Sequence, residues 1–351
     1  MLLIRVIRAA DPCLLNMKSW SSLLRTRKVG EQLNIQWFPG HMAKAEREMR
    51  ERLDLVDIIF EMLDARAVRA SQNPLLEQVG KHKPRLILLN KMDLAEAHVT
   101  RAWLNYFKTQ GRDVLPIDAK SGKGIDQLGD LARKTVEHTS KGTKLDMLRA
   151  RRPLRAMVVG IPNVGKSSLI NRLARKKVAN VGDRPGVTRA LSWIKTRQGF
   201  DLLDSPGVLW PKFEDRETAL KLAAIGSIAD ERFDALEVAT YLLTWFIHYH
   251  PQALEARYGA WVTTWLEGLK ARKSGETLLI DRAAYEEGEK ATDPSMVQGY
   301  KQLVSPLEAS AFFEHMRRVR GLLDRDIDHA ALLFIREVQL GRLGPISLDR
   351  P

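Results

Sequence analysis

The sequence predicts an α/β fold: a mostly parallel sheet flanked by helices, followed by an α-helical C-terminal domain. Three observations predict it. Short apolar runs alternate with segments of helical period between residues 54 and 139. The stretch "GIPNVGKS" (160–167) matches the phosphate-binding pattern G-x-x-x-x-G-K-[ST], directly after an apolar run and before a helical one. Beyond about residue 215 the alternation stops, and helical periodicity continues alone, as in "DALEVATYLLTWFIHYH" (234–250).

Taken in chain order, "DLVDIIFEMLDAR" (54–66) holds an apolar core closed by polar residues, as a parallel strand buried on both faces requires. "RLILLN" (85–90) and "DVLPID" (113–118) repeat the pattern. Between them, "NPLLEQVGKH" and "HVTRAWLNYFKTQG" place apolar residues three and four apart and read as helices. A basic linker (138–155) leads to a further strand, "RAMVVG" (155–160), and then to the helix "SLINRLARK". "LSWIKTRQGFDLLD" (191–204) reads as a hairpin turning at Gln198-Gly199. These boundaries divide the chain into a basic extension (1–33), an α/β domain (34–214) and a helical domain (215–351).

Composition narrows the class. The 351 residues are 44% hydrophobic and 28% charged, a globular profile with length enough for two domains. The longest apolar runs, such as 238–247, fall short of the roughly 20 residues that span a bilayer. The net charge of +13 favours a polyanionic partner such as RNA, or else simple solubility. Cys13 is the only cysteine, which leaves neither a disulfide framework nor a zinc cluster and suits a reducing compartment. Residues 1–33 carry Arg5, Arg8, Lys18, Arg25, Arg27 and Lys28 against Asp11 and Glu31. That bias fits a transit peptide, a basic arm or an upstream start codon. No clear cleavage signal is visible, so a cytoplasmic protein is expected, or a mitochondrial one if the segment is a transit peptide.

In the phosphate motif, Gly160 and Gly165 let the backbone bend so that the N–H groups of Asn163, Val164, Gly165 and Lys166 converge on phosphate oxygens. Lys166 neutralises the β and γ phosphates, Ser167 offers a hydroxyl to Mg²⁺, and Ser168 continues the helix start, where the dipole favours anions. This motif leaves ATP and GTP open. The choice comes from Asn90-Lys91-Met92-Asp93, at the end of an apolar run. The Asp93 carboxylate accepts from guanine N1–H and the exocyclic amine, whereas adenine presents an acceptor at N1; Asn90 bonds the N7 side and Lys91 covers the ring. "DAKSGKG" (118–124) supplies a second base loop through Asp118, Ala119 and Lys120, with Asp118 standing where a serine is usual. "DSPG" (204–207) places Asp204 to hold Mg²⁺ through water and Gly207 to sense the γ-phosphate; "GDRPGVT" (182–188) offers Thr188 as a switch residue closing on Mg²⁺.

The base reader thus precedes the phosphate cradle, a rotation of the usual order. With "NIQWFPGHMAKAEREM" (34–49), "DAR" (64–66) and "SPGVLWPKFED" (205–215), the chain resembles the circularly permuted GTPases of the RbgA/YlqF family, closely over roughly residues 34–250. The resemblance implies a circularly permuted P-loop GTPase domain and a role in assembly of the large ribosomal subunit, with ribosomal RNA and protein as partners. It also implies slow GTP hydrolysis raised by the ribosome, and a monomer when off it. Val208 follows D-x-x-G where many GTPases keep a water-orienting glutamine, so the resemblance assigns that task to His41. It likewise makes Asn163 a potassium ligand and potassium an activator. Arg151, Arg152, Arg155, Arg317, Arg318 and Arg320 are candidates for RNA phosphates, each cluster also reading as a solvated face. Competing readings are a GTP-gated RNA-binding module with incidental hydrolysis and a metabolic P-loop kinase; the latter needs no guanine reader.

Overall fold

A computed structural model describes residues 50–80, 82–139, 152–174, 193–203, 216–273 and 304–351. His41, Arg151, Thr188, Asp204 and Gly207, and the extension 1–33, lie outside the described residues.

Six strands form one sheet in the order β3-β2-β1-β4-β6-β5: β1 (Ile58–Asp64), β2 (Arg85–Asn90), β3 (Asp113–Pro116), β4 (Leu154–Gly160), β5 (Trp193–Lys195) and β6 (Phe200–Leu203). All neighbours run parallel except β5 and β6, which form the expected hairpin. Every residue of β1 is buried, including Glu61, because helices cover both faces of a parallel sheet. Register aligns Asp64 with Asn90 and Met62 with Gly160. The carboxyl ends of β1, β2 and β4 therefore finish side by side, where open α/β sheets bind ligands.

Among the described residues the sheet is accompanied by α1 (Val68–Ser71), α2 (Pro74–Val79), α3 (Ala97–Thr109), α4 (Leu128–Thr139) and α5 (Lys166–Leu173). α3 turns Val99, Trp103 and Phe107 inward at helical spacing and stacks Trp103 on Phe107. On the other face Phe60 meets Phe200 edge to face, with ring centroids 5.3 Å apart.

The described residues beyond 215 form α6 (Arg216–Ala224), α7 (Ala235–Tyr249), α8 (Pro251–Tyr258), α9 (Trp261–Lys273), α10 (Pro306–Val319) and α11 (Ile327–Gln339). Local chemistry sets their starts. Asp234 and Asp326 accept from the N–H groups of Glu237 and His329, and Ser305 with Glu308 forms a capping box. Each such cap contributes about 1 kcal/mol. The fully buried Phe246, Phe312, Phe313 and Phe334 fill the interior of this region, each burial contributing about 2 kcal/mol. One buried cluster runs from Phe60 and Val158 in the sheet through Leu222 to Phe334, so packing is continuous across residue 215.

Candidate nucleotide-binding site

The phosphate loop joins β4 to α5. Gly165 stands at φ +109° and Asn163 at +57°, the left-handed values that turn successive N–H groups to one side. A Cβ on Gly160 would come within 2.6 Å of the Met62 carbonyl, and one on Gly165 would collide with the Asn90 amide. The buried Val164 side chain anchors the loop, while Ser167 and Ser168, half-buried, occupy the first turn of α5.

Lys166 is buried, and its Nζ donates to the carbonyls of Gly160 (3.0 Å) and Ile161 (2.6 Å). Burial, together with the charge of Lys91 nearby, pulls its pKa down to about 8. Two carbonyl dipoles compensate a buried ammonium only in part; a polyphosphate would supply the missing negative charge. The cradle thus fits a nucleotide phosphate chain.

The loop of Asn90 to Asp93 lies alongside. Asn90 Nδ2 donates to the Val164 carbonyl at 2.6 Å, and its Oδ1 accepts from the Ala119 N–H at 2.9 Å. One buried amide therefore bridges the phosphate loop and the second base loop. Asp93 is exposed beside them. Lys91 has φ +61° and pairs its Nζ with Asp64 Oδ2 at 2.9 Å, which anchors its side chain at the end of β1.

Asp118, the departure from the usual serine, has a structural account. Its two carboxylate oxygens accept the N–H groups of Lys120 (2.8 Å) and Ser121 (3.1 Å), a tie that a single hydroxyl could not make. Burial would raise its carboxyl, but these hydrogen bonds outweigh it and hold it below its ordinary value. Ala119 is buried and Lys120 exposed.

Two contributions were not read from the motifs. Arg172 on α5 donates from Nε to the Ala119 carbonyl (3.2 Å) and from a terminal nitrogen to the Lys120 carbonyl, so the helix that starts the cradle also grips the base loop. Its signal was position alone, one helical turn and a half beyond Lys166. Asp64 is wholly buried; burial would raise its carboxyl, yet the Arg66 guanidinium and the Lys91 ammonium hold it well below the usual carboxylate range. Arg66 contributes Nε (2.9 Å), a terminal nitrogen (2.8 Å) and its backbone N–H (3.1 Å) to that carboxylate. "DAR" carried the resemblance in sequence; in space it is the wall behind Lys91.

A family model described as 50S ribosome-binding GTPase matches residues 155–246. Ribosome biogenesis GTPase A of Bacillus licheniformis is 38% identical over 325 residues, covering 90% of this chain and 98% of that protein. The chain belongs to the ribosome biogenesis GTPase A family. The family member of Priestia megaterium is 48% identical over 231 residues, 64% of this chain and 78% of that protein. Mitochondrial ribosome-associated GTPase 1 of Mus musculus is 38% identical over 218 residues, 59% of this chain and 65% of that protein. Membership makes the chain a GTPase, and its fold brings the loops of Asn90, Asp118, Gly165 and Lys166 together at the carboxyl ends of the strands.

The candidate RNA contacts are differently placed. Arg152 pairs with Asp57, both terminal nitrogens lying 2.9 Å from carboxylate oxygens. Arg317 and Arg318 share Glu314, and Arg320 lies over the ring of Tyr258. Arg155 is exposed and covers Trp193 at 5.0 Å. Each of these five thus has a carboxylate or an aromatic ring beside it that also explains its position without RNA.

Proposed function

We propose that this GTPase assists assembly of the large ribosomal subunit, and that GTP or GDP in the crevice sets its affinity for ribosomal RNA and protein. The observation that carries the reading is the Asn90 bridge, which joins a guanine reader to a phosphate cradle across 74 residues of sequence. The ribosome enters through the names of the relatives. Circular permutation accounts for the order of motifs: the reader on β2 and the cradle after β4 are brought together by β1 between them.

Ser167, Thr188 and Asp204 would hold Mg²⁺, which supplies positive charge to phosphate oxygens when bound. The rest is the work of the chain: Lys166 offsets phosphate charge, Gly207 reports the γ-phosphate, and Asp93 with Asn90 selects guanine. His41 positions the attacking water, since Val208 cannot. The Asn163 amide donates to the Gly226 carbonyl at 2.9 Å, an orientation that leaves its Oδ1 as the atom for a potassium ion. The protein acts as a monomer off the ribosome, in the cytoplasm. A mitochondrial site is the second reading, favoured by the basic 1–33 segment and tested by whether that segment directs a reporter into mitochondria.

Sedimentation with large subunits across a salt series tests the function. The expected result is retention with a non-hydrolysable GTP analogue and release with GDP. Equal retention would instead support a passive RNA-binding module.

A further inference from the structure

The base-reading loop has a second set of partners, none of them in the nucleotide motifs. The segment after α11 returns to the sheet and lies along residues 94–96. The Ile346 N–H donates to the Leu94 carbonyl at 3.0 Å, and the Glu96 N–H donates to Ser347 Oγ at 3.2 Å. The Leu348 N–H donates to the Arg66 carbonyl at 2.6 Å, and Asp349 Oδ2 accepts the Ala70 N–H at 2.9 Å. Ile346, Ser347, Leu348 and Asp349 are all buried. Gly341 passes so close that a Cβ there would come within 2.8 Å of Leu94 Cδ2.

Arg66 joins the same assembly from below. While it holds Asp64, and through it Lys91, its terminal nitrogens donate to the carbonyls of Ile225 (2.9 Å), just past α6, and Gln339 (3.3 Å), at the end of α11. A guanidinium has five N–H donors in a fixed fork, so it can serve a carboxylate and two helix ends at once. The guanine reader is thus clamped between its own strand and the helical region.

We propose that Arg66 and residues 346–349 form a strap that sets the guanine-reading loop, so that seating of the helical region tunes guanine affinity. By linkage, bound guanine nucleotide tightens the strap to the same degree. Such a strap gives the helical region a direct route to the nucleotide, independent of the γ-phosphate sensor. The inference rests on the reading of Asp93 as the guanine reader.

Calorimetry on the full chain tests it, with GDP and inorganic tripolyphosphate as ligands. Arg66→Met should weaken GDP about tenfold and Ser347→Ala about threefold, as loss of a charged and a neutral hydrogen-bond partner implies. Tripolyphosphate, which meets only the cradle, should bind both variants as it binds the parent chain. If Arg66→Met loses both ligands through misfolding, Ser347→Ala decides: parental GDP affinity there overturns the strap. Amide exchange supplies the reciprocal measurement, in which GDP should slow the Ile346 and Leu348 N–H groups; unchanged rates overturn the coupling. Failure of the parent chain to bind GDP at all would instead remove the guanine reading, and the strap with it.

Discussion

Asn90 and Asp93 lie three residues apart, yet one is buried and the other exposed, and this difference assigns their roles. Asp93 is exposed and is the proposed guanine reader, so its replacement should change selectivity. Asp93→Asn presents an amide N–H where guanine also presents its amine, a donor against a donor; xanthine carries an oxo group there. Affinity should therefore fall by about 100-fold for GDP and rise for xanthosine diphosphate, measured by calorimetry. Asn90 ties the neighbouring loops together through both ends of its amide. Asn90→Ala leaves the buried Val164 carbonyl and Ala119 N–H unpaired and should destabilise the fold by about 2 kcal/mol in urea denaturation. Lys166 makes a pH prediction. Its pKa of about 8 lies below the ordinary lysine value, so the empty cradle loses this charge as pH rises through 8. Phosphate favours the charged form; nucleotide binding should take up a proton above that pH, and GDP affinity should fall as pH increases past 8. Calorimetry in buffers of different ionisation enthalpy measures the uptake. The residue types were legible because each chemistry demands them. The exchange of serine for Asp118 was legible only as a departure, since its purpose depends on two N–H groups that the turn aims at it.

Elements were largely legible from period and punctuation. The apolar runs became the parallel strands, the Gln198-Gly199 turn became a hairpin, and Asp234, Ser305 and Asp326 start helices as short polar residues do. Glu61 broke the pattern: it lies mid-strand and buried, where burial raises its carboxyl and Arg85 on β2 opposes the effect. The element that matters most is the β4-loop-α5 unit. Gly165→Ala would force a Cβ into a left-handed position and against the Asn90 amide. The expected result is a loss of about 1–3 kcal/mol in stability and no GDP binding, read by denaturation and calorimetry.

At the scale of the molecule, the helical region is packed on the sheet through one continuous core and knit together by buried charge. Glu337 is the hub: it receives the Tyr258 hydroxyl at 2.8 Å and the guanidinium of Arg257, with Arg320 and Arg342 each 3.7 Å away. Glu337→Ala should destabilise the fold by about 2 kcal/mol or more, visible as a lower urea midpoint, because it leaves Arg257 and the buried Tyr258 hydroxyl without their acceptor.

Sequence alone decided the strands, the phosphate loop and the choice of guanine, because each is written in a few adjacent side chains whose chemistry allows little else. Tertiary structure decided what holds the proposed base reader in place. The partners there are the N–H groups of Ile346 and Leu348 and the carbonyls of Ile225 and Gln339. Backbone atoms are common to nearly every residue and leave no signature in the residue types. Only the path of the folded chain brings them from beyond residue 220 to the loop at 94.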